Sequence, residues 1–257
     1  MYLSHLLIDV GSNPDHPRPG RLWLRNMYQV HQRLSMAFPK NPQGDKEFLQ
    51  PFSPDNFKKA NVVFRVEREV TDAPSRSILL LSDLQPDWNY AFQNAGVLLG
   101  GPCQCREYSP AFSVGALLRF RILVNPTQKS REHRKPSNAA DATGRPKDQG
   151  KRVALTWAEG QAPGDVILPW FAKKGMVQED NGKPKRGGGF DIEHAELVTL
   201  GWLNAYRKRD DAALRFRTAL IEGVLRVTDL EQFSKAIFSG IGHGKAFGFG
   251  LLSVAAV

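Results

Sequence analysis

The chain has few cysteines and no long apolar run, and these absences limit the classes of protein to which it can belong. Only Cys103 and Cys105 occur among its 257 residues. Two thiols are too few for a structural zinc site, which takes about four ligands, and their spacing makes a mutual disulfide awkward, so we expect both to be reduced. No stretch approaches the ~18–20 apolar residues that span a bilayer. The N-terminus has no basic leader, so the sequence predicts a cytoplasmic protein without a membrane partner.

Motifs for metal and nucleotide chemistry are also missing. No H-E-x-x-H or G-x-S-x-G occurs, and no metal-ligand spacing relates His5, His16, His133, His194 and His243. Gly244-Lys245 fails the P-loop pattern because Ser239 replaces its first glycine and Ala246 its Ser or Thr. The glycine spacing of this segment also fails the dinucleotide-binding fingerprint, and the segment precedes a predicted strand rather than a helix. We therefore expect no metal and no cofactor.

What the chain has is positive charge, in its second half. The net charge is +9. Residues 129–152 carry eight Lys or Arg against three acids, whereas 173–190 and 205–217 each carry five against two. The remainder of the chain is slightly acidic. Solvated loops would explain any one cluster, but three clusters favour a polyanion partner, with RNA or DNA preferred over a membrane.

The first half follows the order βαββαβ. Residues 2–9 read as a strand, and Asn26 can cap a helix that runs to about Phe38. Residues 61–70 alternate, with Val62, Phe64 and Val66 on a buried face and Arg65, Glu67 and Glu69 on an exposed one. A strand at 77–82, a short helix or turn at 87–94 and a possible closing strand at 104–108 complete the order.

The second half repeats that order. Strands are predicted at 117–124, 192–205, 212–227 and 249–254, with helices at 164–174 and 230–238. We therefore predict an α+β protein with two tandem ferredoxin-like (RRM-like) domains, residues 1–109 and 114–257. Leu-Arg-Phe-Arg occurs at 118–121 and again at 214–217. The first and third strands of a ferredoxin-like sheet are central neighbours, so the two motifs could place four arginines on one shared face; the alternative is that the four face solvent or another domain.

The most distinctive segment is the glycine-rich tail, residues 240–250. Five of its eleven residues are glycine, and His243 and Lys245 lie among them. Glycine permits positive φ and the close approach of a ligand, so this segment can offer backbone N–H groups and positive charge to an anion. The alternative is a flexible C-terminal turn.

Tyr28 and His31 are the candidate catalytic residues. Met27, Val30, Leu34 and Phe38 form an apolar stripe on the predicted helix, and Tyr28 and His31 are neighbours on an adjoining polar face. A histidine transfers protons near neutral pH, and a tyrosine hydroxyl can orient a reacting oxygen. The alternative is that both belong to an ordinary helix surface.

Several motifs in order give the chain a family resemblance. They are the N-terminal Met-Tyr-Leu-Ser, Tyr28-x-x-His31 followed by Ala37-Phe38-Pro39, the strand from Leu118 to Asn125-Pro-Thr127, Gly150-Lys-Arg-Val153, and the tail with Leu251-Leu252. Together they resemble the CasE family, the endoribonucleases that process precursor CRISPR RNA in type I-E systems. Residues 129–152 and 40–58 have no residue-by-residue match to the family.

The resemblance implies a function for the whole chain. It implies two ferredoxin-like domains, binding of the CRISPR repeat hairpin, cleavage at the 3′ base of its stem, and retention of the crRNA in Cascade beside other Cascade subunits. Tyr28 and His31 match the family's catalytic pair, with His31 as general base or general acid. The 2′-hydroxyl of the RNA would attack, leaving a 2′,3′-cyclic phosphate and a 5′-hydroxyl without a metal. We expect RNA contacts from Arg119, Arg121, Lys151, Arg152, Gly242, His243, Gly244, Lys245 and Gly248.

Two other functions stay open. The first is a non-catalytic RNA-binding subunit of a CRISPR ribonucleoprotein, in which Tyr28 and His31 are surface residues. The second is a general RNA-recognition protein that stacks single strands on aromatic rings. The sequence lacks the aromatic strand expected of the latter, because its Leu-Arg-Phe-Arg motif offers one phenylalanine, which we predict to point inward.

Overall fold

The first half of the chain builds one four-stranded antiparallel sheet. The computed structural model describes residues 1–13, 15–16, 18–40, 54–67, 74–130, 152–180, 183–206 and 213–257. The elements of the first half are β1 (Tyr2–Asp9), α1 (Pro19–Trp23), α2 (Met27–Ser35), β2 (Val62–Val66), β3 (Ser75–Ser82), α3 (Trp88–Phe92) and β4 (Gln104–Glu107). The strand order is β2-β3-β1-β4, which places the first and third strands at the centre.

The second half repeats this arrangement with longer strands. Its elements are β5 (Leu117–Val124), β6 (Thr127–Lys129), β7 (Arg152–Ala154), α4 (Pro163–Gly175), β8 (Gln178–Asp180), β9 (Lys183–Arg186), β10 (Phe190–Ala205), β11 (Leu214–Val227), α5 (Leu230–Ser239) and β12 (Ser253–Ala256). The sheet order is β10-β11-β5-β12, and β6-β7 and β8-β9 form two-stranded ribbons. Both sheets have the ferredoxin-like order, so the predicted fold class is confirmed. The domain limits at 109 and 114 stay a prediction.

The apolar core of the first half extends into the second. Helix α2 buries Met27, Val30 and Leu34 against β1 and β3, as its apolar stripe predicts. The same cluster includes Leu203 of β10 and Phe249 of the tail. The two sheets therefore share a packed interface, and the end of the chain lies against the first half.

The outward face of β2 was predicted wrongly. Val63 is fully buried and Arg65 is 2% exposed, whereas the alternating pattern predicts that Arg65 faces solvent. The reason is that this face of β2 packs against the second half: Arg65 donates hydrogen bonds to the carbonyl oxygens of Arg121 and Leu251, at 2.9 and 3.1 Å. Its partner Glu67 accepts a third bond at 2.7 Å. Glu69 lies outside the described residues.

The four arginines of the repeated motif do not share a face. In the β11–β5 register, Arg121 lies opposite Glu222 and Arg119 opposite Val224. Arg215 and Arg217 lie on β11 beyond the end of β5, each an odd number of residues from Glu222 and Val224. Because side chains alternate along a strand, these two arginines project from the other face of the sheet. Of the two alternatives, the shared arginine face is therefore wrong, because sequence similarity between strands does not fix their register.

Other differences concern element ends. The last strand begins at Ser253, and the residues before it are buried without joining the strand. Helix α1, the ribbons β6-β7 and β8-β9 were not predicted. Asn26 caps α2 as expected, and Asp229 caps α5. Both cysteines are free thiols. None of the helices in the described ranges is long and apolar enough to cross a membrane.

Candidate active site

Helix α2 presents Tyr28 and His31 at the edge of its buried stripe. The helix begins at a side-chain cap, because Asn26 Oδ1 accepts the N–H of Tyr28 at 3.2 Å. Burial of Met27 and Val30 fixes the rotation of the helix about its axis. Tyr28 and His31, one turn apart, are therefore held half-buried beside the core and not on the fully exposed side.

Both side chains line one cleft. It has a volume of about 540 Å³, and its lining residues come from three parts of the chain: Tyr28, His31, Gln32, Ser35 and Phe38; Phe57, Lys58, Lys59, Ala60 and Val62; and Ala246. The structure thus brings the predicted catalytic helix and the glycine-rich tail together, although more than two hundred residues separate them. A cleft of this size can admit a nucleotide and its phosphate.

Burial gives His31 the properties of a proton acceptor. Loss of solvent around the imidazole lowers the pKa of His31 below its ordinary value of 6.5. The ring is therefore neutral at neutral pH and has a free nitrogen lone pair. Ser35 Oγ donates to the backbone carbonyl of His31 at 2.8 Å, which leaves the imidazole out of that bond.

Lys58 and Lys59 are site residues that sequence reasoning missed. Both are exposed and line the cleft beside Tyr28 and His31. The backbone N–H of Lys58 donates to the carbonyl oxygen of Phe38 at 2.7 Å, which ties this segment to the residues that follow α2. Their only signal in the sequence is weak, a Lys-Lys pair at the end of a stretch rich in Pro and Gly.

The tail's glycines adopt the backbone conformation expected of them. All five, Gly240, Gly242, Gly244, Gly248 and Gly250, have φ between +69° and +89°. Gly244 and Gly248 flank a 3₁₀ turn at Lys245–Phe247. A Cβ on Gly248 would lie 3.3 Å from Met27 Cε and from Phe64 Cε2. The tail is therefore a shaped turn packed on the start of α2 and not a loose terminus.

Substitution at Gly248 tests this packing. We expect Gly248→Ala to lower the free energy of unfolding by about 1–2 kcal/mol, the usual cost of left-handed backbone for a residue with a Cβ, with crowding against Met27 and Phe64 adding to it. The measurement is urea unfolding. Gly96→Ala is the control, because Gly96 has no positive φ and no atom within 4 Å of its added Cβ. Equal stability of the two variants would contradict a packed tail.

The open side of the tail offers backbone donors. Among the described residues, none accepts a hydrogen bond from the backbone N–H groups of residues 242–246. A Cβ on Gly242 would meet nothing within 4 Å, so a ligand can approach the backbone there. Successive free N–H groups around left-handed glycines form a concave anion site.

A basic patch surrounds these donors. We define it as Arg152, Lys174, His243 and Lys245. Burial, followed by the positive charges of the other three, lowers the pKa of His243. Burial also lowers the pKa of Lys245, and burial with the nearby Arg152 that of Lys174. The patch is therefore a region of positive potential that an anion would stabilise.

The other predicted RNA contacts lie elsewhere or outside the described part. Arg121 ion-pairs with Glu222 at 2.7 Å and approaches Glu67 at 3.8 Å, so its charge is already balanced by carboxylates. Arg119 is exposed and donates to the carbonyl oxygen of Ala256 at 3.2 Å. Neither lines the cleft. Lys151 lies outside the described residues. The RNA contacts of all three stay predictions.

Metal ligands do not cluster in the described ranges of the chain. No group of three or more His, Cys, Asp or Glu side chains is placed there to hold a metal ion.

Comparison with known proteins gives a match over the full length. A sequence model of the family described as CRISPR associated protein matches residues 1–256. The CRISPR-associated endoribonuclease Cse3 of Thermus thermophilus is 28% identical, with 99% of this chain and 100% of the relative aligned. The CRISPR system Cascade subunit CasE of Escherichia coli K12 is 25% identical over 99% of both chains.

A solved structure agrees with these sequence matches. CRISPR endoribonuclease Cse3 bound to a 19-nucleotide RNA superimposes with a TM-score of 0.64 at 27% identity, covering 99% of this chain and all of the other. Because the family model matches this chain from its first residue almost to its last, the chain belongs to the CRISPR-associated protein family, with Cse3 and CasE as relatives.

Proposed function

We propose that this protein is an endoribonuclease that processes precursor CRISPR RNA by cutting at the 3′ base of the repeat hairpin. One observation carries the proposal: the cleft that holds Tyr28 and His31 is also lined by Ala246, and the tail residues just before it, 242–245, offer free N–H groups and positive charge. A general base candidate thus lies beside a site suited to a phosphate. The names of the relatives, an endoribonuclease and a Cascade subunit, support the same activity.

The chemistry follows from an RNA that supplies its own nucleophile. The 2′-hydroxyl upstream of the scissile phosphate attacks phosphorus, forming a 2′,3′-cyclic phosphate as the bond to the 5′-oxygen breaks. His31 accepts the hydroxyl proton, and a proton from solvent or a second group reaches the departing oxygen, leaving a 5′-hydroxyl. The Tyr28 hydroxyl orients the nucleophile or the phosphate, and Lys58 and Lys59 supply positive charge where negative charge develops.

The lowered pKa of His31 predicts the pH dependence. A general base must be neutral to accept a proton. We therefore expect kcat/KM to rise with pH, with the midpoint of the rise below pH 6.5, and to reach a plateau that extends through neutral pH. The measurement is kcat/KM for hairpin cleavage between pH 4.5 and 8. A general acid would give the opposite, a rate constant that falls as pH rises through the same range, and that result would contradict the base role.

The basic patch and the tail would hold the duplex. Proteins recognise double-stranded RNA through its shape, phosphates and 2′-hydroxyls, and backbone N–H groups with Lys and Arg suit that purpose. We place the hairpin stem against Arg152, Gly242, His243, Gly244 and Lys245, with Gly248 shaping the turn. The product stays bound as part of Cascade with its other subunits, in the cytoplasm where the transcript is made.

Cleavage of matched RNAs tests the proposal. The repeat hairpin and a scrambled RNA of equal composition that cannot pair are each incubated with the protein, and the products are sized. We expect one cut in the hairpin and none in the scrambled RNA. Tight hairpin binding without any cut would favour a non-catalytic subunit of a CRISPR ribonucleoprotein, and equal affinity for both RNAs would favour a general single-strand binder.

A further inference from the structure

The β10–β11 hairpin projects beyond the second sheet. Strand β5 pairs with residues 219–226 of β11, whereas β10 continues to pair with β11 as far as Leu214. Residues 201–205 and 214–218 therefore form a two-stranded extension that no third strand covers in the described part of the chain. The side chains on this extension do not serve the core of the second sheet.

One face of the extension carries a run of alternating aromatic and basic side chains. The Arg217 guanidinium carbon lies 4.4 Å from the ring centre of Trp157 and 4.3 Å from that of Trp202. Arg215 lies 4.2 Å from the same Trp202 ring. We call these four side chains the Trp–Arg stack. Trp202 is 43% exposed and Arg215 is also exposed, so the stack is open to solvent.

The stack holds more positive charge and more donors than its own contacts use. In the described ranges, no carboxylate lies within ion-pair distance of either arginine, and Arg217 Nε is buried without a hydrogen-bond partner. A guanidinium that stacks by its flat face keeps its N–H edge free for a phosphate. Two adjacent cations repel each other, so a bound anion would stabilise this arrangement.

The extension that carries the Trp–Arg stack borders the candidate cleft. Phe216, between the two arginines, points to the opposite face, and its ring centre lies 4.6 Å from that of Phe247. Phe247 directly follows Ala246, which lines the cleft. On the neighbouring strand, the backbone of Tyr206 exchanges two hydrogen bonds with the side chain of Asn26, the cap of the catalytic helix. The extension therefore borders the cleft at both the tail and the start of α2.

We infer that the Trp–Arg stack binds an unpaired nucleotide of the RNA that flanks the hairpin, with its phosphate on the arginine edges and its base against the exposed indole or guanidinium face. The inference rests on the proposed function, since it places this nucleotide next to the cleaved strand. Bases inside a duplex have both faces covered, whereas an unpaired base can stack on an aromatic ring or a guanidinium plane.

Binding of two RNAs to the full-length protein tests the inference. One RNA is the repeat hairpin alone, and the other is the same hairpin with its natural single-stranded flanks. We expect Trp202→Ala and Arg215→Ala to weaken binding of the flanked RNA by about 5- to 150-fold, the range for one stacked base, and to leave the bare hairpin within about twofold. Arg215→Lys keeps the positive charge but removes the planar guanidinium, so it should lose most of the affinity that the single-stranded flanks add.

A matched control isolates the stack from net charge. Arg226→Ala removes the same charge from an exposed position on the same strand, where Arg226 pairs with Glu193, and it should bind both RNAs like wild type. Because Arg215 is exposed, Arg215→Ala still decides the question if Trp202→Ala fails to fold. The inference would be overturned if the variants lost equal affinity for both RNAs, or if they lost affinity for neither, and the second result would point to a protein partner.

The proposed function alone would be refuted by a wild-type protein that binds the flanked RNA more tightly than the bare hairpin but never cuts either.

Discussion

Replacing His31 by alanine should lower the single-turnover rate constant for hairpin cleavage by about 10²–10⁴-fold, the usual contribution of one general base. The affinity for the uncut hairpin should change by no more than about threefold, because in the proposed mechanism His31 acts on the 2′-hydroxyl proton and does not supply the positive charge that holds the stem. The measurement is cleavage of end-labelled hairpin with protein in excess, together with direct binding. Product release does not limit the rate under these conditions.

The control for this variant is another histidine. His194 lies exposed on β10 and does not line the cleft, so His194→Ala should cleave like wild type. A His31→Ala variant that cleaves within about threefold of wild type would remove His31 from the mechanism. A variant that loses binding and cleavage together would instead make His31 a structural residue of the cleft.

Replacing Arg65 by methionine should give the largest loss of stability. Arg65 is 2% exposed, ion-pairs with Glu67 at 2.6 Å and donates to two carbonyl oxygens of the second half. Its loss removes a donor from both carbonyl oxygens and leaves Glu67 with the longer, 3.8 Å contact to Arg121. Breaking a buried pair in this way costs about 3–5 kcal/mol. At roughly 2–4 °C per kcal/mol for a chain of this size, the thermal midpoint should fall by about 6–20 °C.

An exposed ion pair provides the comparison for Arg65. Arg226 contacts Glu193 at 2.6 Å, but the two side chains are 45% and 40% exposed. Solvent screens such a pair, so Arg226→Met should melt close to wild type. If Arg65→Met also melted close to wild type, the bonds from β2 to the second half would not contribute to holding the two sheets together.

The order of elements could be predicted from sequence because it depends on local patterns. Alternation in β5 and the capping residues Asn26 and Asp229 specify their elements without knowledge of the rest of the chain. The apolar stripe of α2 likewise identified the face that carries Tyr28 and His31. Positive φ at the tail's glycines followed from the residue type alone.

What could not be predicted depends on contacts between distant segments. Arg65 looks exposed because alternation cannot reveal that a second sheet covers the outer face of β2. The arginine positions depend on the register of β11 against β5, which pairs Arg121 with Glu222 and leaves Arg215 and Arg217 beyond the end of β5. The meeting of Lys58 and Lys59 with the tail is likewise a product of tertiary packing. Apart from their occurrence as a Lys-Lys pair, nothing local marks these lysines as residues of the candidate site.

The measurement that tests the central claim most directly uses a modified hairpin. Its nucleotide upstream of the scissile phosphate carries a 2′-hydrogen in place of the 2′-hydroxyl, and both RNAs are incubated with the protein in EDTA. We predict full cleavage of the unmodified hairpin, with a 2′,3′-cyclic phosphate end, and no cleavage of the modified one at equal affinity. Cleavage of the modified hairpin, or a requirement of the unmodified one for Mg²⁺, would contradict the account.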